Sequence, residues 1–233
     1  MEANTQLSLL LSCEHGGNEV PEKYLPYFKN VGDILQTHRG YDIGAFDLFE
    51  TLKQLNPDYS IFSKTTRLLV DLNRSLHKKT LFSEWTNQLD LREKEQILNT
   101  YYHPFRKSFA NELKLKVEQG KQILHVSIHS FTPVLNGEVR TTDIGILYHP
   151  GRLSEKLFAK VWKEKLGECL PQLRVRFNYP YLGKPDGHVA AHRRIYADHQ
   201  YVGIELELNQ KFAFDKVIYN GIRKSLELSI GDF

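Results

Sequence analysis

Short apolar runs rich in β-branched and aromatic residues alternate along the chain with longer amphipathic stretches. The runs have the length of strands, and the stretches repeat apolar residues at helical spacing. The pattern predicts strands over residues 7–12, 59–62, 68–72, 123–128, 144–148, 173–177 and 202–208, and helices over 45–55, 91–119, 154–166 and 211–228. This order predicts an α/β fold with a mixed, mostly parallel sheet flanked by helices.

Two stretches break this regularity. Pro104 lies inside the long helical stretch and predicts a kink or an interruption there. Residues 178–199 mix Gly, Pro, His, Arg and Asp without a period, and a loop of this length in a compact domain is more often functional than decorative. No repeat or low-complexity linker divides the chain, so we expect one domain over residues 1–233.

Composition narrows the class of protein. The 233 residues are 41% hydrophobic and 25% charged, with a net charge of +3, and the basic residues form no stripe that would bind nucleic acid. Two cysteines, Cys13 and Cys169, give no disulfide framework. Residues 1–12 lack signal-peptide features, and no apolar run approaches the ~20 residues that span a bilayer. We expect a cytoplasmic protein without a membrane partner; no pattern indicates its oligomeric state.

The first strand ends abruptly in polar residues, in the segment "LLLSCEHGGNEVP". In open α/β sheets, ligands bind just beyond the carboxyl ends of strands. His15, Glu14, Asn18 and Glu19 offer nitrogen and oxygen ligands that zinc accepts, and the glycines allow close approach of the backbone. A histidine beside glycine is also common in simple turns, so this segment alone does not establish a site.

Two later strands carry polar residues on one face. "ILHVSIHS" places His125 and His129 on the same side of a strand, and "VGIELELNQ" does so for Glu205 and Glu207. A buried, hydrogen-bonded histidine explains His125 well and the strand-terminal His129 less well. The two carboxylates need a metal, a cation or hydrogen-bond donors if they are buried, and salt bridging by Arg193 or Arg194 is the structural alternative.

A third segment, "TTRLLVDLNRS", runs from an apolar stretch into Asp71, Asn73 and Arg74. An asparagine followed by an arginine suits capture of a carboxylate substrate, although Arg74 could instead pair with Asp71 to hold the loop. Together the strand ends supply histidines, carboxylates and an Asn-Arg pair, which is how a metallohydrolase site is assembled from distant segments.

The ordered segments "SCEHGGNEVP", "THRGYDIGA", "RLLVDLNRS", "SIHSFTP", "TTDIGILYHPGR", "LGKPDGH" and "GIELELNQ" resemble the N-formylglutamate amidohydrolase family over nearly the whole chain. The resemblance implies the phosphorylase/hydrolase-like fold of the zinc carboxypeptidases and of the aspartoacylase group. It also implies a metal site with His15 and His129 as ligands. Asn73 and Arg74 would bind the substrate carboxylate, and Glu207 would be the general base.

The second metal ligand departs from the wider group, where a glutamate stands three residues after the first histidine. Here that position is Asn18, with Glu19 after it and Glu14 before His15. Either glutamate completes the site, or Asn18 binds weakly and water fills in. The metal implied is zinc, but imidazole with carboxylate also suits manganese, iron or nickel.

The activity implied is hydrolysis of a small-molecule N-acyl amino acid, such as N-formylglutamate, to the free amino acid and formate. Glu205, on the same strand face as Glu207, and Arg67, a further cation for substrate or oxyanion, are the other expected catalytic residues. A second substrate carboxylate needs another cation, and the expected sources are Arg140, Lys184, His188, His192, Arg193 and Arg194. Two alternatives stay open: a cysteine hydrolase using Cys13, and a non-catalytic binder of an acidic small molecule.

Overall fold

The structure, a computed structural model, describes residues 6–233. The prediction that residues 1–12 are not a signal peptide falls partly outside it, because residues 1–5 are not among the described residues. The strands are β1 (Leu7–Cys13), β2 (Tyr59–Phe62), β3 (Gln122–Phe131), β4 (Val134–Leu135), β5 (Glu138–Val139), β6 (Ile144–Leu147), β7 (Val175–Phe177) and β8 (Tyr201–Asn209). The α-helices are α1 (Gly32–Leu35), α2 (Ala45–Leu52), α3 (Leu91–Ile97), α4 (His103–Glu118), α5 (Leu153–Cys169), α6 (His188–Arg193) and α7 (Lys216–Gly231).

Six strands form one sheet in the order β2-β1-β3-β8-β6-β7. Its neighbours pair in parallel, except that β6 runs antiparallel to β8. The short strands β4 and β5 form a separate antiparallel hairpin. The predicted mixed, mostly parallel sheet is therefore confirmed.

Helices cover both faces of the sheet. On one face, every second residue of β1, β3 and β8 joins α2, α5 and α7 in a large apolar core that includes Phe49, Trp162 and Ile222. On the other face, Phe109 of α4 and Val189 of α6 pack on Leu10 and neighbouring strand residues. Within residues 6–233, no helix is both long and apolar enough to cross a bilayer. The alternating pattern thus leaves polar residues on the α4 and α6 face.

Two stretches differ from the prediction, whereas the predicted interruption near Pro104 is confirmed. Residues 68–72 form turns instead of a strand, because Leu68, Leu69, Val70 and Leu72 bury their side chains in a second apolar core. The long helical stretch is interrupted by a π-helical segment, Leu98–Tyr102, just before Pro104. The aperiodic stretch 178–199 contains the six-residue helix α6.

Candidate active site

A row of polar side chains crosses the central strands on the α4 and α6 face. Ser127 of β3 lies beside Glu205 of β8, and His129 lies beside Glu207. The residues that alternate with them on both strands belong to the apolar core of the opposite face. The predicted one-sided placement of these polar residues is therefore confirmed, and it brings an imidazole next to two carboxylates.

Two imidazoles and one carboxylate converge at the end of this row. The Oδ2 atom of Asp42 lies 2.8 Å from Nδ1 of His129 and 3.4 Å from Nδ1 of His15. All three residues are buried, and their ligand atoms lie within 4.8 Å of one another. The backbone N–H of Asp42 donates to the carbonyl of His15, which fixes the turn before α2 against the end of β1.

The far nitrogen of each imidazole contacts a second carboxylate. Nε2 of His15 lies 2.7 Å from Oδ1 of Asp71, and Nε2 of His129 lies 3.3 Å from Oε2 of Glu14. Carboxylates in such outer positions orient metal-binding histidines and fix their tautomer. Burial alone would lower the pKa of His129, but hydrogen bonds with Asp42 and Glu14 raise it well above the usual range. The carboxylates around His15 and His129 therefore favour a positive charge at this point, whether on an imidazole or on a bound cation.

The residues present fit a divalent metal. Nδ1 of His15 is buried, has no hydrogen-bond partner among residues 6–233, and faces Asp42 and His129. Two imidazole nitrogens and one carboxylate oxygen are the protein ligands of many catalytic zinc sites, which keep a further position open. Burial opposes ionisation of Asp42, yet His15 and His129 hold the pKa of its carboxyl below the usual range, so it is available as an anionic ligand.

Asp42 takes the position for which the sequence suggested Asn18, Glu19 or Glu14, and those expectations need correction. The turn after β1 directs Asn18 toward Leu35, to whose carbonyl its side chain donates, and leaves Glu19 exposed. Glu14 lies behind His129. The segment "THRGYDIGA" was a usable signal for Asp42, since it matches the family pattern, but its spacing from His15 gives no role.

A cavity of about 520 Å³ opens beside the cluster. Its walls combine the three cluster residues with Glu205, Glu207 and several cations, and an apolar side faces them. The lining residues are His15, His38, Arg39, Asp42, Arg67, Asn73, Arg74, His129, Ser130, Phe131, Thr132, Leu147, Tyr181, Leu182, Pro185, Asp186, Glu205 and Glu207. A small molecule fits a cavity of this size, and the arginines Arg39 and Arg74 in its wall offer partners for anionic groups.

The two glutamates of β8 differ in their surroundings. Burial raises the pKa of Glu207 to about 8, with His129 opposing the rise and Asp42 adding to it. Its Oε2 atom has no hydrogen-bond partner among the described residues. Burial also raises the pKa of Glu205, but the guanidinium of Arg193 lies 4.0 Å away and opposes that rise. Glu207 is thus the carboxylate better suited to exchange a proton.

Arg67 and Arg74 play different structural roles at the cavity wall. Arg67 lies 3.3 Å from Oδ1 of Asp42 and 2.8 Å from Oδ2 of Asp71, and so links the two carboxylates that hold His15. Arg74 is 3.9 Å from Asp71, and its side chain is 35% exposed toward the cavity. Asn73 reaches His129, with 3.4 Å between Nδ2 and Nε2. Compared with Arg67, Arg74 is therefore more available to bind an anionic group in the cavity.

None of the six residues expected to supply a second cation lines the cavity, namely Arg140, Lys184, His188, His192, Arg193 and Arg194. The guanidinium of Arg193 is buried and binds Glu155 and the carbonyls of Gly183 and Gly203, so its donors are already used. His188 is fully buried. Arg140 stacks on Tyr181 and donates to its hydroxyl at 3.2 Å, one layer behind the wall. Arg140, His188 and Arg193 therefore belong to the structure around the cavity and do not face a substrate within it.

Cys13 has neither property that a thiol nucleophile needs. It is 0% exposed and packs in the apolar core under α2. Burial, reinforced by the carboxylates of Glu14 and Asp42, raises the pKa of its thiol well above the usual value. Reactive cysteines are accessible and have a lowered pKa, so the geometry does not favour a cysteine hydrolase.

Comparison with known proteins identifies the family. The family model described as N-formylglutamate amidohydrolase matches residues 7–213. The chain is similar to a gene product from Agrobacterium tumefaciens, with TM-score 0.79 and 25% identity, covering 97% of this chain and 89% of that chain. It shares its fold with an N-formylglutamate amidohydrolase from Ralstonia eutropha, with TM-score 0.72 and 14% identity. That match covers 97% of this chain and 94% of the Ralstonia eutropha chain. No curated protein matches.

The family match spans most of the chain and confirms the resemblance carried by the sequence motifs. The residues matched include both histidines of the cluster, Asp42 and Glu207. The chain therefore belongs to the N-formylglutamate amidohydrolase family and is a hydrolase that acts on an amide bond.

Proposed function

We propose that this hydrolase is metal-dependent and cleaves an N-acyl acidic amino acid, with N-formylglutamate as substrate and formate as a product. The observation that carries the proposal is the convergence of His15, Asp42 and His129 at one wall of a cavity that also presents Glu207 and Arg74. Membership of the N-formylglutamate amidohydrolase family supports the same chemistry.

His15, Asp42 and His129 would hold the metal, and zinc fits this set of ligands. When bound, zinc supplies a Lewis acid that polarises the acyl carbonyl and lowers the pKa of a bound water to about 7. Asp71 and Glu14 keep the two imidazoles in orientation through their far nitrogens.

Glu207 is the proposed proton carrier. A carboxylate oxygen of Glu207 takes the proton of the attacking water and returns it to the nitrogen of the departing amine. The free Oε2 atom and the pKa of about 8 support this role, because a group with a pKa near the working pH both accepts and releases a proton. Arg67 lines the same cavity and supplies positive charge for the oxyanion.

Arg74 and Asn73 are the proposed partners of the substrate α-carboxylate. Arg74 keeps part of its guanidinium open to the cavity, where a bidentate contact can form. The side-chain carboxylate of N-formylglutamate needs a second cation. Arg39 lines the cavity and is exposed, and among residues 6–233 its one ion-pair partner is Glu84, so it replaces Arg193 in that role.

Release of formate tests the proposed substrate. Protein reconstituted with zinc is assayed with N-formylglutamate and with N-formylglutamine, which has the same α-carboxylate but a neutral side chain. We expect hydrolysis of both, with kcat/KM for N-formylglutamate higher by about tenfold or more, which corresponds to about 1.4 kcal/mol. Equal rates would remove the preference for an acidic side chain, and no formate from either compound would overturn the proposed function.

A further inference from the structure

A second polar cluster lies behind the active site, on the far side of Glu14. Glu14, His125 and His188 each direct a ligand atom toward a common point, and these atoms lie within 4.8 Å of one another. The three residues come from the end of β1, from β3 and from α6. They are 0–1% exposed, and none of them lines the cavity.

Several atoms of this cluster lack partners. Oε1 of Glu14 and both ring nitrogens of His188 have no hydrogen-bond partner among residues 6–233. Oε1 of Glu14 and Nε2 of His188 stand 4.0 Å apart, which is too far for a hydrogen bond between them. Buried polar atoms without partners are rare and costly, and they point to a bound ion or water.

The remaining atoms of the cluster are held as the outer atoms of metal ligands usually are. Nδ1 of His125 lies 2.7 Å from the hydroxyl of Tyr201, and Oε2 of Glu14 accepts from Ser127 at 2.8 Å. Nε2 of His125 lies 2.7 Å from the hydroxyl of Ser12, a contact that coordination would replace. Such outer contacts fix the ring orientation of a coordinating histidine.

The donor set favours a metal ion over a water molecule. Two imidazoles and one carboxylate are the set that zinc, iron and nickel share. Phe109 covers the group, with its ring centroid 4.2 Å from that of His125 and 4.7 Å from that of His188. A site closed in this way resembles structural metal sites, which have no position open to substrate.

We propose that Glu14, His125 and His188 form a second, closed site for a divalent transition metal such as zinc, with a structural role. The ion joins α6 to the two central strands β1 and β3. Glu14 contacts His129 through its other oxygen, so the ion also fixes the carboxylate that orients one active-site imidazole. The site is independent of the proposed substrate.

Metal content of matched variants tests this site. His192 is the control, because it lies one helical turn after His188 on α6, is also buried, and is outside the ligand group. After reconstitution with zinc and desalting, we expect about two zinc ions per chain in the wild type and in His192→Leu, and about one in His188→Leu and in Asp42→Asn. Circular dichroism checks that each variant is folded.

The second site would be overturned by an unchanged zinc content in folded His188→Leu, whether the wild type holds one zinc per chain or two. Anomalous diffraction at the zinc edge from wild-type crystals answers the same question without any variant. A peak among Glu14, His125 and His188 is expected, and a water molecule there would contradict the proposal. If the active-site cluster failed to hold metal, the zinc that depends on His188 would still be measured separately.

Discussion

Two carboxylates of β8 line the same cavity, but their nearest charges differ. Glu207 lies beside His129 of the active-site cluster, whereas Glu205 lies 4.0 Å from Arg193. The raised pKa of Glu207 follows first from its burial. These neighbours support the proposed proton transfer by Glu207 and favour Glu205 as part of the wall.

Replacing Glu207 by glutamine keeps the shape of the side chain but removes the atom that accepts the proton. We expect Glu207→Gln to lower kcat by about 10²–10⁴-fold, the usual contribution of a general base, without loss of metal. Glu205→Gln, on the same strand and face, is the matched control and should keep a larger part of the activity. Formate release and metal analysis measure both effects, and normal turnover in Glu207→Gln would refute the assignment.

The same substitution should change how stability depends on pH in metal-free protein. Burial raises the pKa of Glu207 from 4.5 to about 8, so between these values the folded chain holds a proton that the unfolded chain releases. Stability is therefore lost as pH rises through this window. At pH 8 we expect Glu207→Gln to be more stable than the wild type by on the order of 2–4 kcal/mol, and near pH 4 by little. Urea unfolding at both pH values measures this, and an equal difference at both would count against a raised pKa.

Replacing Arg67 and replacing Arg74 should have different effects, the first on stability and the second on substrate binding. Arg67→Ala leaves Asp42 and Asp71 without their shared cation and should destabilise the fold by about 3 kcal/mol. Arg74→Ala should raise KM for N-formylglutamate at least about tenfold, with stability changed by less than about 1 kcal/mol. Urea unfolding and steady-state kinetics check both. Loss of folded protein in Arg74→Ala, with normal KM in what remains, would make Arg74 a loop-holding residue.

At the scale of elements, the turn after β1 is held by close backbone contact. A Cβ atom at Gly17 would meet the carbonyl oxygen of Lys64 at 2.5 Å and its Cα at 2.7 Å. Neither backbone atom can move without shifting the segment after β2. Because Gly17 follows His15 by two residues, this contact sets the position of an active-site imidazole.

Gly17→Ala should therefore weaken metal binding through the displacement of His15. We expect at least a tenfold loss of zinc affinity, the range seen when supporting groups of a metal site are disturbed. Gly32→Ala is the control, since nothing lies within 4 Å of its new Cβ. Competition with a metal-binding dye measures both affinities, and unchanged binding in Gly17→Ala would show that the turn tolerates the shift.

The elements were predictable to different degrees. Alternation of apolar residues identified β3 and β8 and the side on which His129 and Glu207 lie, because a strand has a fixed period. The run at 68–72 has the composition of a strand but packs in turns, which the local sequence does not distinguish. Helix α6 is too short for a helical period to be recognised among glycines and prolines.

For the whole molecule, the site depends on contacts between distant segments. Residue types and strand ends predicted His15, His129, Asn73 and Arg74 as neighbours, and the structure brings them to one cavity. Asp42 could not be selected, because several carboxylates stand nearer to His15 in the sequence and only the fold decides which one faces it. For the same reason Arg193, which sequence suggested as a substrate cation, is a buried structural residue.

The proposed metal-dependent hydrolysis of N-formylglutamate is tested by measuring how formate release depends on bound metal. N-formylglutamate turnover is measured on the purified protein, after removal of metal by a chelator, and after return of zinc, with metal content determined at each step. We expect turnover to be lost with the metal and restored with it, and we expect Asp42→Asn to recover neither bound zinc nor turnover. Turnover that continues after the metal has been removed would contradict the proposed metal dependence.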